Sequence, residues 1–169
     1  MAPNPPGPLV PHFLTELPAL YEFANVLSSN ALFMQAELEN LPDLAEVKVR
    51  IANLCEELIG LAYDFRKEAA NLECKLTRSP GDASWDADIS NPDPFVTLTL
   101  MQAMPNEVLL ELFLPLVKAL ETDEATLDKH PSSYILVLES GSNMLKSHAQ
   151  AMGAIKQIES LLQEKASSP

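Results

Sequence analysis

Cysteine, histidine and glycine are scarce in this chain of 169 residues: it has two Cys, three His and five Gly. Cys55 and Cys74 fall on one predicted helix, about 28 Å apart at a rise of about 1.5 Å per residue, which is too far for a disulfide. The sequence therefore predicts reduced thiols that serve as small hydrophobic side chains. Such thiols are typical of a cytoplasmic or nuclear protein.

Basic residues are also few, since 11 Lys and Arg face 24 Asp and Glu and give a net charge of −13. The first 47 residues contain no Lys or Arg. A field of this sign repels nucleic acid and anionic membrane surfaces, so we expect neither as a partner. No apolar run approaches the roughly 20 residues of a membrane span, and the N-terminus lacks the basic segment of a secretory signal.

The motifs of common catalytic and cofactor sites are missing as well. His12, His130 and His148 have no ligand spacing, and no Cys-x-x-Cys occurs. The chain has neither of the glycine-rich phosphate-binding patterns, and Ser140-Gly141-Ser142 lacks the Gly-x-Ser-x-Gly pattern of a nucleophile elbow. We read that cluster as a weak point in a helix, and we expect no enzyme activity, no cofactor and no metal.

One acidic segment resembles a calcium loop only in part. Asp86, Asp88 and Ser90 occupy the first, third and fifth positions of such a loop. The sixth position is Asn91 instead of Gly, and the twelfth is Thr97 instead of Glu. A solvated acidic loop is therefore the better interpretation.

Apolar residues are abundant, at 47% of the chain, and they recur at helical spacing. Within a first helix predicted from Pro18 to Asn40 they follow spacings of 4 and 3 residues. This seam consists of Leu20, Ala24, Leu27, Ala31, Met34, Leu38 and Leu41. Ahead of this helix, residues 1–11 carry five prolines and are predicted to be a disordered tail, whereas 12–166 form a single helical domain.

A long second helix is predicted from Asp43 to Leu76. Asp43 and Glu46 have the spacing of a capping box. The apolar seam behind them changes its spacing once, at Phe65. It consists of Leu44, Val47, Ile51, Leu54, Leu58, Leu61, Phe65, Ala69, Leu72 and Leu76.

The second half of the chain begins with a predicted acidic loop at 77–93 that contains Trp85, the single tryptophan. Asp93 is predicted to cap a helix from Pro94 to Met104. Further helices are predicted from Glu107 to Thr122 with a kink at Pro115, and from Ser132 or Ser133 to about Lys165. The large apolar residues of the last helix are expected to form its seam: Ile135, Leu138, Leu145, Met152, Ile155 and Leu162. Residues 95–100 and 134–138 also fit short strands, although helix is favoured.

These features predict an all-α fold, an antiparallel bundle of four to six helices around the long second helix. The segment 108–117 is apolar nearly all round its helix, as expected of a central core helix or of one that meets another molecule. We therefore predict a non-enzymatic interaction module, an adaptor or complex subunit, that binds another protein or a second copy of itself through apolar helix faces. The predicted partner-binding residues are Phe65, Leu72, Leu76, Trp85, Leu109, Leu110, Phe113 and Leu114. The alternative is a carrier of an apolar small molecule in a pocket lined by Leu and Met.

Overall fold

The fold is all-α. The computed structural model describes residues 9–40, 45–77, 93–122 and 131–167. Within these ranges every residue except Asp93 is helical, and none lies in a strand. The predicted all-α class is therefore confirmed, and the segments 95–100 and 134–138, for which strands were an alternative, are helical.

Helix α1 spans Leu9–Glu37 and continues into a 3-10 turn, Leu38–Asn40. It begins nine residues before the predicted start at Pro18, which lies inside the helix. The reason is that Phe13 and Leu17 extend the buried seam toward the N-terminus in the same spacing of 4 and 3 residues. Their packing offsets the backbone hydrogen bond that an interior proline removes.

Helix α2 spans Ala45–Thr77, 33 residues. Its predicted seam forms the buried side of the helix from Ile51 to Leu72, and Val47 and Leu76 pack partly buried at its two ends. Phe65, where the spacing changes, is fully buried and meets Phe23 of α1 edge-on, with ring centroids 4.9 Å apart.

Helix α3 spans Pro94–Val108, followed without a break by a π-helical segment, Leu109–Phe113, and by α4, Leu114–Thr122. The predicted cap is confirmed, since the Asp93 carboxylate accepts a hydrogen bond of 2.9 Å from the backbone N–H of Phe95. The predicted interruption near Pro105 is wrong, because this proline is buried inside α3.

Pro115 disturbs the helix instead. It has no N–H to donate, and the turn ahead of it widens to the π form, in which the Leu114 N–H donates to the carbonyl oxygen of Leu109 five residues back.

Helix α5 spans Pro131–Ser167, and only the second half of its predicted seam faces inward: Ile155 is buried, and Met152 and Leu162 pack partly buried against the core. Ile135, Leu138 and Leu145 are exposed. The buried side is rich in small residues between larger ones: Val137, Ser140, Gly141, Met144, Ser147, Ala151, Ala154, Ile155 and Ile158. Small residues let two helices approach closely, and α1 is the main neighbour of α5 within the described residues.

The helices form a bundle-like arrangement in which α1 packs against both α2 and α5, and α3 packs against α2. Tyr21 of α1 donates a hydrogen bond to Glu73 near the end of α2, and Lys75 donates one of 2.7 Å to Thr97 of α3. Gln102 of α3 in turn donates to Glu159 of α5. One hydrophobic core joins all the main helices.

The sequence was expected to contain no segment long and apolar enough to span a membrane, but the continuous helical segment Pro94–Leu120 is such a segment. Its 27 residues reach a mean hydropathy of 1.2, so by length and composition it is apolar enough to cross a membrane. Only 33% of an apolar 18-residue stretch of this helix is buried against the rest of the protein. Much of its apolar surface is therefore accessible.

Several predicted features fall outside the described residues. These are Trp85 with the interior of the acidic loop, the first eight residues, His130, and Asp43 with its capping box.

Candidate functional site: an exposed apolar helix face

The predicted partner-binding residues divide into buried and accessible ones. Leu109 and Phe113 of the π-helical segment and Phe65 and Leu72 of α2 lie in the core, and Leu76 is partly buried against it. Core side chains such as these stabilise the fold and present no surface to a partner. By contrast, Leu110 is 56% exposed and Leu114 is 37% exposed.

Leu110 and Leu114 belong to a longer exposed surface on the same continuous helix. Going back from Leu110, residues on the same side recur at spacings of 3 and 4, and all are exposed. We call this surface the outer face; it consists of Val96, Leu100, Ala103, Glu107, Leu110 and Leu114. Val96 and Leu100 are 47% and 45% exposed, so the apolar part of the surface runs over both α3 and α4.

The outer face exists because the helix turns its other side to the core. Thr97, Leu98, Met101, Pro105 and Val108 are buried on that side. Large apolar residues on both sides of one helix are the pattern expected of a helix that is covered twice. Within the described residues only one of the two sides is covered.

A second group of accessible apolar side chains lies on α5. Ile135, Leu138 and Leu145 are exposed, at spacings of 3 and 7 residues that place them on one side of the helix. Together with the residues of α3, the π-helical segment and α4, they account for eight of the thirteen large hydrophobic side chains that are exposed in the described ranges.

Phe113 of the π-helical segment packs against Gly141 of α5. The Phe113 ring lies where a side chain at position 141 would be: an added Cβ would meet its Cζ atom at 1.9 Å and two more ring atoms at 2.5 and 2.9 Å. Gly141 is thus a notch in α5 that receives an aromatic ring, a role that the sequence alone did not reveal. The contact packs the π-helical segment against the first part of α5.

Two open grooves flank the interfaces of α5. The first, about 510 Å³, lies between α3 and α5 and is lined by Thr99, Gln102, Ala103, Asn106, His148, Met152 and Lys156. The second, about 410 Å³, lies between α1 and α5 and is lined largely by Asn, Gln and Ser side chains. Most of the residues in both linings are of polar types, and Met152 is the only Leu or Met side chain in these two grooves, whereas the carrier hypothesis requires a Leu- and Met-lined pocket.

The chain matches no family model, no curated protein and no solved structure.

Three titratable side chains with shifted pKa values lie in the packed parts of the described helices. Burial lowers the pKa of His148, whose ring contacts Phe23 at 5.5 Å between centroids. Burial raises the pKa of the Cys55 thiol to about 11. Burial, and then the hydrogen bond to Glu73, raises the pKa of Tyr21. Among the described residues no group of three His, Cys, Asp or Glu side chains is placed to hold a metal ion.

Sequence reasoning missed Val96, Leu100 and the three α5 residues as accessible apolar side chains. A periodicity analysis assigns large apolar residues to the core and small ones to the surface. On the first part of α5 that assignment fails, because Ser140, Gly141 and Ser147 face inward while Ile135, Leu138 and Leu145 are exposed. The small residues at seven-residue spacing, 140 and 147, together with Gly141, were the available signal for this side of the helix.

Proposed function

We propose that this protein is a non-enzymatic interaction module, an adaptor or complex subunit, whose outer face binds a helix of a partner protein. The observation that carries the proposal is the concentration of exposed large apolar side chains on α3–α4 and on the first part of α5. Helices bind into such surfaces through apolar residues at spacings of 3 and 4, the spacing that the outer face itself presents. The finer architecture that goes with this function is an antiparallel bundle in which the long α2 and α1 form the support for the binding helix.

The residues that contact a partner are not all of those in the most apolar stretch of the sequence. Phe65 and Leu72 are core residues of α2, and Leu109 and Phe113 are core-side residues of the binding helix itself. Leu110 and Leu114 are the two predicted residues that a partner helix reaches directly. Self-association would use the same face and is the competing mode of the same function.

Serine substitutions on the outer face test the proposal. Leu110→Ser combined with Leu114→Ser removes about 1 kcal/mol of apolar burial per side chain, so binding weakens by roughly 30-fold. The measurement is affinity capture from the native source with quantitative mass spectrometry, followed by titration of the recovered partner against purified wild type and variant. Melting temperature and circular dichroism show that the variant is folded.

The chain offers a matched control. Leu32 on α1 is 57% exposed, against 56% for Leu110, and its substitution by Ser changes the surface hydrophobicity by the same amount elsewhere. We expect Leu32→Ser to retain the partner. Equal retention by the Leu110→Ser, Leu114→Ser variant would show that the outer face is not the binding surface.

A further inference from the structure

We infer that the helix which binds the outer face is basic, with a Lys or Arg side chain opposite Glu107. This inference rests on the proposed function and specifies the chemistry of the partner. Glu107 lies on the same side of the helix as Leu100, Ala103 and Leu110, and it is exposed. Glu111, one turn further on, is exposed as well.

A helix that covers the apolar residues also removes water from Glu107. A carboxylate that loses water without gaining an opposite charge or hydrogen-bond donors destabilises the complex strongly. A Lys or Arg on the partner supplies both the charge and the donors. The chain as a whole carries a net charge of −13, which accelerates the approach of a basic partner and slows that of an acidic one.

A second copy of this chain fits the outer face poorly. If two outer faces paired antiparallel about their midpoint between Val96 and Leu114, the two Glu107 residues would be four positions apart, about 6 Å along the helix. A parallel pairing would place them directly opposite each other. Either arrangement brings two carboxylates together in a region that loses water, and each copy adds its own net charge of −13.

A lipid bilayer is a poorer occupant for the same reason. The segment Pro94–Leu120 has the length and hydropathy of a membrane span, but Glu107 and Glu111 lie within it. Ionised carboxylates are strongly disfavoured in the hydrocarbon region. A basic helix can satisfy both the apolar side chains and the carboxylates.

Two synthetic helical peptides of 21 residues test this inference. Both carry Leu at heptad a and d positions, and one has Lys where the other has Glu at a central position and at the flanking e and g positions. Binding to the full chain is measured by fluorescence anisotropy at low and high salt. We expect the Lys peptide to bind wild type at least 10-fold more tightly than the Glu peptide, and the difference to shrink at high salt.

Two substitutions separate charge recognition from apolar binding. Glu107→Lys should reverse the preference between the peptides by about 10-fold, because it converts an attractive pair into a repulsive one. Leu110→Ser, in a chain that keeps Glu107, should weaken the binding of both peptides. Leu32→Ser should weaken the binding of neither. Circular dichroism of each variant confirms that its helices are intact.

The possible failures are distinguishable. Equal binding of the two peptides, with Leu110→Ser weakening both, would overturn the basic partner and leave the interaction module standing. Absence of binding by either peptide would contradict the basic partner and count against the outer face as a helix-binding surface. A dimer in analytical ultracentrifugation that Leu110→Ser dissociates would replace the basic helix by a second copy. Sedimentation with neutral phosphatidylcholine vesicles that Leu110→Ser abolishes would replace it by a membrane.

Discussion

Gly141→Ala is the substitution whose effect the structure and the sequence predict with opposite signs. In an exposed helix position, replacing Gly by Ala raises stability by about 1 kcal/mol, because Ala loses less backbone entropy on folding. At Gly141 the new Cβ would lie 1.9 Å from the Cζ atom of Phe113. Carbon atoms in contact are normally about 3.5–4.0 Å apart, so the ring has to move.

The loss of stability arises because the Phe113 ring becomes less buried when it moves. Phe113 is 3% exposed and belongs to the hydrophobic core, so a shifted ring loses contacts with its buried neighbours. Expelling the ring sacrifices most of its burial, about 2–3 kcal/mol, against the gain of about 1 kcal/mol in helix propensity. We therefore expect Gly141→Ala to lower the free energy of unfolding by about 1–2 kcal/mol, or the melting temperature by roughly 2–8 °C.

Gly153 on the same helix is the matched control. A Cβ added there meets no other atom within 4 Å. Gly153→Ala should therefore stabilise the protein by about 1 kcal/mol. The free energies of unfolding are measured by urea denaturation followed by circular dichroism at 222 nm.

A double-mutant cycle assigns the effect to the ring. In a Phe113→Ala background the notch is empty, so Gly141→Ala should change from destabilising to stabilising by about 1 kcal/mol. If Gly141→Ala stabilises the wild-type background as much as Gly153→Ala does, the close approach of Phe113 to α5 is refuted. If it destabilises both backgrounds equally, another contact of position 141 is responsible.

Three further predictions concern the buried polar groups. Tyr21→Phe keeps the ring and removes the hydrogen bond to Glu73, so the free energy of unfolding should fall by about 1–2 kcal/mol in urea denaturation. Burial lowers the pKa of His148 below its usual 6.5, so the unfolded chain takes up the proton first. The stability that is fully present above pH 6.5 should therefore fall as the pH drops through that value, and His148→Gln should flatten the fall measured between pH 8 and pH 5. Burial raises the pKa of Cys55 to about 11, so a thiol reagent at pH 8 should label the less buried Cys74 first and Cys55 only on unfolding.

Each of these has an outcome that contradicts it. Tyr63 is 72% exposed, and a loss of stability on Tyr63→Phe as large as that on Tyr21→Phe would mean that the hydrogen bond is not responsible. Identical pH profiles for wild type and His148→Gln would mean that His148 titrates alike in both states. Equal labelling rates of the two thiols in the native protein would contradict the burial of Cys55.

The sequence by itself was sufficient for the all-α class and for the inward sides of α1 and α2. The predicted seams of these two helices are confirmed over most of their length. The seam residues from Leu20 to Met34 and from Ile51 to Leu72 are buried, because the apolar periodicity there coincides with the side that the neighbouring helices cover. The N-cap at Asp93 was also readable, since a carboxylate followed by proline satisfies the first helical amide locally.

Only the tertiary structure decided which side of α5 faces inward and which of the apolar residues between Val96 and Leu114 stay accessible. Periodicity shows that a helix has an apolar side, but it does not show whether another element covers that side. The depth of the Gly141 notch depends on where the Phe113 ring lies, a contact between residues 28 positions apart in the sequence. The accessibility of the outer face and the depth of the packed notch both arise from long-range packing.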